Sequence, residues 1–131
     1  MNEVKFYMKK DLAIVDSKAS VAEAVELMEE RKIGALFVSE NDEIVGVFSE
    51  TDLLRKVVFK KFDPEKNEIS QFMSKPIISV DWESLMLAAF LKMQKENIRH
   101  LGITRNGKIV GIISIRDVAY YYVLKFSPKG N

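Results

Sequence analysis

Sliding the chain along itself by sixty-five positions aligns its two halves without a gap. The clearest match sets Gly46-Val47-Phe48-Ser49-Glu50-Thr51-Asp52 on Gly111-Ile112-Ile113-Ser114-Ile115-Arg116-Asp117, the same frame of glycine, two apolar residues, serine, two variable residues and aspartate. Met8 falls on Met73, Lys10 on Lys75, Val15-Asp16 on Val80-Asp81, Ala24 on Ala89, Met28 on Met93, Ile33 on Ile98, Leu36 on Leu101 and Asn41 on Asn106. A unit of this size buries its own faces poorly, so two are expected to pack as one pseudo-symmetric domain. The repeat places one unit, with its connector, at residues 1–65 and the second at 66–131.

Within each unit the apolar spacing alternates between strand and helix periods. In the first, residues 12–15 read as a strand, and Ser20-Val21-Ala22-Glu23 as a capping box opening a helix that runs to about Lys32, closed by Ile33-Gly34. Residues 36–39 and 44–48 read as a hairpin, and 51–61 as a second helix. A polar, proline-containing stretch, 62–70, connects the units. The second unit repeats the order: strand 77–80, helix 84–96, strand 100–104, an Asn106-Gly107 turn, strand 109–114 and helix 115–126, then a tail, 127–131.

The doubled motif has two readings. Ser49 or Ser114 is a natural N-cap, and an acid three residues on completes a capping box that serves only to start a helix. Alternatively, a helix start after a strand offers N–H groups to phosphate, and the aspartate beside it accepts hydrogen bonds from sugar hydroxyls.

Composition narrows the chemistry. The chain has no cysteine and one histidine, His100, which removes thiol nucleophiles, disulfides and any site needing two imidazoles. No metal site is expected, and there is no glycine-rich phosphate loop, so no enzyme is expected. Twenty basic residues against nineteen acidic ones are interspersed and leave a net charge of +1, no footprint for nucleic acid. No apolar run reaches the roughly 18 residues of a membrane span, and residues 1–6 have no signal core. A cytoplasmic protein is the default.

Residues 85–91 are apolar on every side, unlike their counterparts with Glu23 and Glu26. Such a helix is either central in one monomer or a partner surface, most simply for a second copy, giving a homodimer through helices. Of the consecutive Tyr120, Tyr121 and Tyr122, at least one ring should reach a surface.

The repeat, the strand-helix-strand-strand-helix order and the doubled Gly-apolar-apolar-Ser-x-x-Asp resemble a tandem pair of CBS domains, the module named after cystathionine beta-synthase. The resemblance runs from about Phe6 to Phe126 and identifies the chain as a standalone CBS pair. It implies an α+β fold of two pseudo-symmetric units packed sheet to sheet. It also implies a regulatory module without catalysis or a required cofactor, binding AMP, ADP or ATP, and after these S-adenosylmethionine or NAD, in two clefts across the pair. A further partner would be an unknown regulated protein.

Carried over residue by residue, one cleft would join Ser49, Thr51 and Asp52 to Ile77, Arg99 and His100. The other would join Ser114, Arg116 and Asp117 to Leu12, Gly34 and Ala35. The aspartates would hold ribose, with Arg99 and His100 in the first cleft and Arg116 in the second near phosphate. At Leu36-Phe37 and Leu101-Gly102 the family often has Leu-Pro, and losing the proline is expected to loosen the start of each strand, with Phe37 crowding the space beside Ala35. The competing reading is a ligand-free dimerisation or interaction module.

Overall fold

The computed structural model describes residues 1–127; the tail expected at 127–131 lies, after Ser127, outside the described residues. The fold is α+β, with two three-stranded sheets ordered β1-β2-β3 and β4-β5-β6. The first repeat supplies β1 (Ile14–Asp16), α1 (Val21–Arg31), β2 (Ala35–Glu40), β3 (Glu43–Ser49) and α2 (Glu50–Asp52), the last prolonged by a π-helical stretch, Leu53–Val58. The second supplies β4 (Ser79–Asp81), α3 (Met86–Glu96), β5 (His100–Arg105), β6 (Lys108–Ser114) and α4 (Ile115–Phe126).

In both sheets the short first strand lies parallel to the central one, which pairs antiparallel with the third. A parallel pair needs a crossover, and α1 and α3 provide it. The register slips between Val38 and Ser39 and again between Ile103 and Thr104, so the same bulge recurs at equivalent positions. Helix ends recur as well. Lys32 and Asn97 both take the left-handed conformation at φ 54°, and the N–H groups of Ile33 and Ile98 donate to the Met28 and Met93 carbonyls at 3.0 Å. This is a Schellman stop. α1 therefore ends on Lys32, without the glycine at 34 that the sequence suggested.

Strand alternation sorts the side chains. Leu36, Val38 and Phe48 join Val21, Ala24, Met28 and Val57 in one core, while Leu101, Ile103 and Ile113 join Met86, Ala89, Met93, Val118 and Tyr121 in the other. At Phe37 and Gly102, where loosening is expected from the missing proline, the backbone is hydrogen-bonded. Their N–H groups, which proline would lack, donate to Ala13 O at 2.9 Å and Ile78 O at 3.0 Å and tie the parallel strands together.

The compact units cut across the repeat boundary at 65/66: one comprises Leu12–Ile77, the other Met1–Asp11 with Ile78–Asn131. The reason is backbone pairing. Val47 exchanges hydrogen bonds with Ser74 at 3.0 and 2.7 Å, and Ile112 exchanges them with Lys9 at 3.0 and 2.8 Å. The stretch leading into each repeat thus finishes the sheet of the other. The same leading stretches cap the crossover helices, the N–H of Val21 donating to Asn67 O at 3.0 Å and that of Met86 to Asn2 O at 2.8 Å. α3 accordingly starts at Met86 rather than at the expected Ser84, with Leu85 as an N-cap that makes no side-chain bond.

Gly46 and Gly111 permit the approach. A Cβ on Gly111 would lie 2.5 Å from Met8 Sδ and 3.0 Å from the Lys9 carbonyl oxygen; on Gly46 it would lie 2.7 Å from Met73 Sδ and 3.2 Å from the Ser74 oxygen. Gly111→Ala is expected to cost about 1–3 kcal/mol through overpacking, read as a lower urea midpoint with an unchanged denaturant slope.

Candidate functional site

The strand-to-helix junctions form as the capping reading requires, in both units. At each, the serine hydroxyl accepts the N–H of the aspartate and the aspartate Oδ2 accepts the serine N–H: 3.3 and 3.0 Å for Ser49 with Asp52, 3.2 and 2.8 Å for Ser114 with Asp117. The serine hydroxyls also donate to Oδ2, at 3.2 and 3.0 Å. The first helical N–H is taken too, since Glu50 donates to Gly34 O at 2.9 Å and Ile115 to Arg99 O at 2.8 Å. Two first-turn donors at each helix start are therefore satisfied by the chain itself. What each motif offers beyond its cap is the other carboxylate oxygen, Oδ1.

Here the units diverge. Asp52 is buried, at 6% exposure. Its Oδ1 accepts from Ser74 Oγ at 3.0 Å and pairs with Lys56 Nζ at 2.9 Å. Lys56 Nζ also donates to Phe72 O at 3.1 Å and Ser74 Oγ at 3.2 Å. The Asp117 side chain is only a little more exposed than that of Asp52, 13% against 9%, but its Oδ1 faces Lys9 Nζ at 3.4 Å, from a lysine side chain that is 71% exposed.

The unit Leu12–Ile77 contains Leu12, Gly34, Ala35, Ser49, Thr51, Asp52 and Ile77 of the expected binding residues; the other contains Arg99, His100, Ser114, Arg116 and Asp117. Within the first, Ala35 pairs with Ser49 across β2 and β3. Within the second, His100 pairs with Ser114 across β5 and β6, while Arg99 and Arg116 are exposed. Lys56, Ser74 and Lys9 were not singled out from sequence. The signals were present, because Lys56 stands four residues after Asp52 on a helix and Lys9 and Ser74 follow the matched Met8 and Met73.

Among the described residues no group of three or more His, Asp or Glu is arranged to hold a metal, and no helix is long and apolar enough to cross a membrane. The family model of the CBS domain matches twice, at residues 3–58 and 69–124. The chain belongs to the CBS-domain family. An uncharacterized protein of Methanopyrus kandleri is 31% identical over 112 residues, 84% of this chain and 57% of that protein. Curated relatives from Arabidopsis thaliana are longer still, the CBS pair spanning about a fifth of their length. A CBS-domain-containing protein of Agrobacterium tumefaciens superposes with a TM-score of 0.85 at 28% identity, over 92% of this chain and 98% of that one. A hexameric CBS-CP12 protein from bloom-forming cyanobacteria does so with a TM-score of 0.84 at 26% identity, over 98% and 77%. Paired CBS domains are generally regulatory modules.

The unequal carboxylates make a thermal-stability prediction. Asp117→Asn keeps most of the cap and loses an ion pair to an exposed lysine, worth about 1 kcal/mol or less. Asp52→Asn strips a buried acceptor from Lys56 and Ser74 and should cost about 2 kcal/mol. Thermal unfolding should show the larger midpoint drop for Asp52→Asn, by several degrees.

Proposed function

We propose that this CBS pair is a regulatory, non-catalytic nucleotide sensor of the cytoplasm, taking AMP, ADP or ATP ahead of S-adenosylmethionine or NAD. The supporting observation is the Asp117 motif, where an oxygen left over from the helix cap lies 3.4 Å from an exposed lysine ammonium. A ribose has two adjacent hydroxyls to donate to such a carboxylate, and a phosphate is met by a cation beside it. Ligand binding would favour whichever conformation binds more tightly, by no more than the difference in affinity, and an unidentified protein would read that change.

A second reading, a surface for self-association, has its own observation. Leu87 and Leu91 on α3 and Tyr120, Val123, Leu124 and Phe126 on α4 are exposed, whereas the outward residues of α1 include Glu23, Glu26, Glu29 and Glu30. Exposed apolar side chains on two neighbouring helices of one unit suit an isologous contact with a second copy. The cyanobacterial relative described as hexameric supports assembly as a family habit.

Two measurements test these readings. Each nucleotide at about a hundred times its dissociation constant adds roughly 2.7 kcal/mol and should raise the unfolding midpoint by several degrees. The double variant Asp52→Ala/Asp117→Ala should lose that shift, and an undiminished shift would reject the site. In light scattering, Leu87→Glu/Leu91→Glu should reduce the mass to that of one chain. An unchanged assembly would place the contact elsewhere.

A further inference from the structure

We propose that Lys56, with Ser74, is a built-in occupant of the Asp52 motif, so that the chain binds one nucleotide, at Asp117, and not two. The inference rests on the nucleotide reading above and names the residues that decide which motif is open.

A carboxylate offers about four acceptor positions. Asp52 is occupied from its own unit by three hydrogen bonds and an ion pair: the Ser49 N–H at 3.0 Å and hydroxyl at 3.2 Å on Oδ2, the Ser74 hydroxyl at 3.0 Å on Oδ1, and the Lys56 ammonium paired with Oδ1 at 2.9 Å. A sugar diol can reach this carboxylate only by displacing the last two. Displacement is opposed twice over. The lysine is anchored at the Phe72 carbonyl and the Ser74 hydroxyl as well, at 3.1 and 3.2 Å, and Asp52, at 6% exposure, has little water to replace a lost donor.

The matching positions, sixty-five residues on from Lys56 and sixty-five back from Ser74, lack this device. Lys56 is matched by Tyr121, whose hydroxyl donates to Asn2 Oδ1 at 2.7 Å and leaves the motif alone. Ser74 is matched by Lys9, whose ammonium pairs with Asp117 Oδ1 at 3.4 Å, longer than the 2.9 Å between Lys56 and Asp52 and from a more exposed side chain, 71% against 42%. Among the described residues nothing else is bonded to that oxygen. A diol displaces Lys9 at little cost, and the freed ammonium stays beside the ligand as a counter-charge for its phosphate. One repeat carries the lysine where it fills the carboxylate, the other where it can serve the ligand.

Isothermal titration of AMP and of ATP into the full chain tests this. The wild type should take one equivalent per chain, abolished by Asp117→Asn. Lys56→Met/Ser74→Ala should take two, and the same double variant with Asp117→Asn should keep one. Lys56→Gln provides a second, more conservative route to an opened Asp52 should the double variant fail to fold. Two equivalents in the wild type, or wild-type binding that survives Asp117→Asn, would overturn the occupancy inference and leave the nucleotide reading standing. No binding of either nucleotide by any of these proteins would reject the nucleotide reading itself, and the inference with it.

Discussion

The junction where strand turns into helix depends on one carboxylate in each unit being matched by donors. An aspartate placed three residues after a serine can bond back to the serine N–H while the serine accepts its own, and the exchange fixes the last residue of β3 or β6 and the first turn of the helix after it. Beyond their two variable residues, the motifs differ in what is done with the carboxylate oxygen that the cap leaves over. In one unit it meets a serine hydroxyl and a half-buried lysine; in the other it meets an exposed lysine. The same local rule thus yields two corners that differ in the donors around one oxygen.

Much of this was legible in the sequence because it is local. The repeat offset, the order of elements, the two capping boxes and the hairpin turns are all set by residues within a few positions of one another, and α4 runs over the very residues its spacing indicated. Tyr121 is buried while Tyr120 is exposed, as a helix surface requires of neighbours. The features that escaped depend on distant chain. Lys56 reaches the Phe72 carbonyl sixteen residues on, and the Ser74 hydroxyl beyond it. The departure of α2 into a π-helical stretch, with Phe59 N–H donating to Leu54 O at 2.9 Å, has no counterpart in α4 and no signature in apolar spacing. The apolar run at 85–91 left two readings open, and exposure of Leu85, Leu87 and Leu91 beside buried Met86 and Ala89 shows it half covered within the chain.

The two units illustrate how a duplicated fold diverges without losing its frame. Core positions keep their size or character, with Met28 matched by Met93, Ala24 by Ala89 and Leu36 by Leu101. Change is concentrated at outward positions, where Glu26 of α1 is matched by Leu91 of α3, and at residues adjoining the caps, where lysine and tyrosine or serine and lysine trade places. Such positions alter what the surface attracts while costing the fold little.

Because β3 is completed by Ser74 and β6 by Lys9, a single repeat is topologically unfinished. Its leading stretch is shaped for another copy's sheet, and its own edge waits for a stretch it does not carry. An isolated repeat would have to trade these stretches with a twin to close both edges, a reciprocal swap between chains. Joining two repeats end to end turns that swap into an exchange within one chain. The tandem form then needs no encounter between molecules to fold, and its two halves are free to acquire different residues, as Lys56 and Tyr121 have.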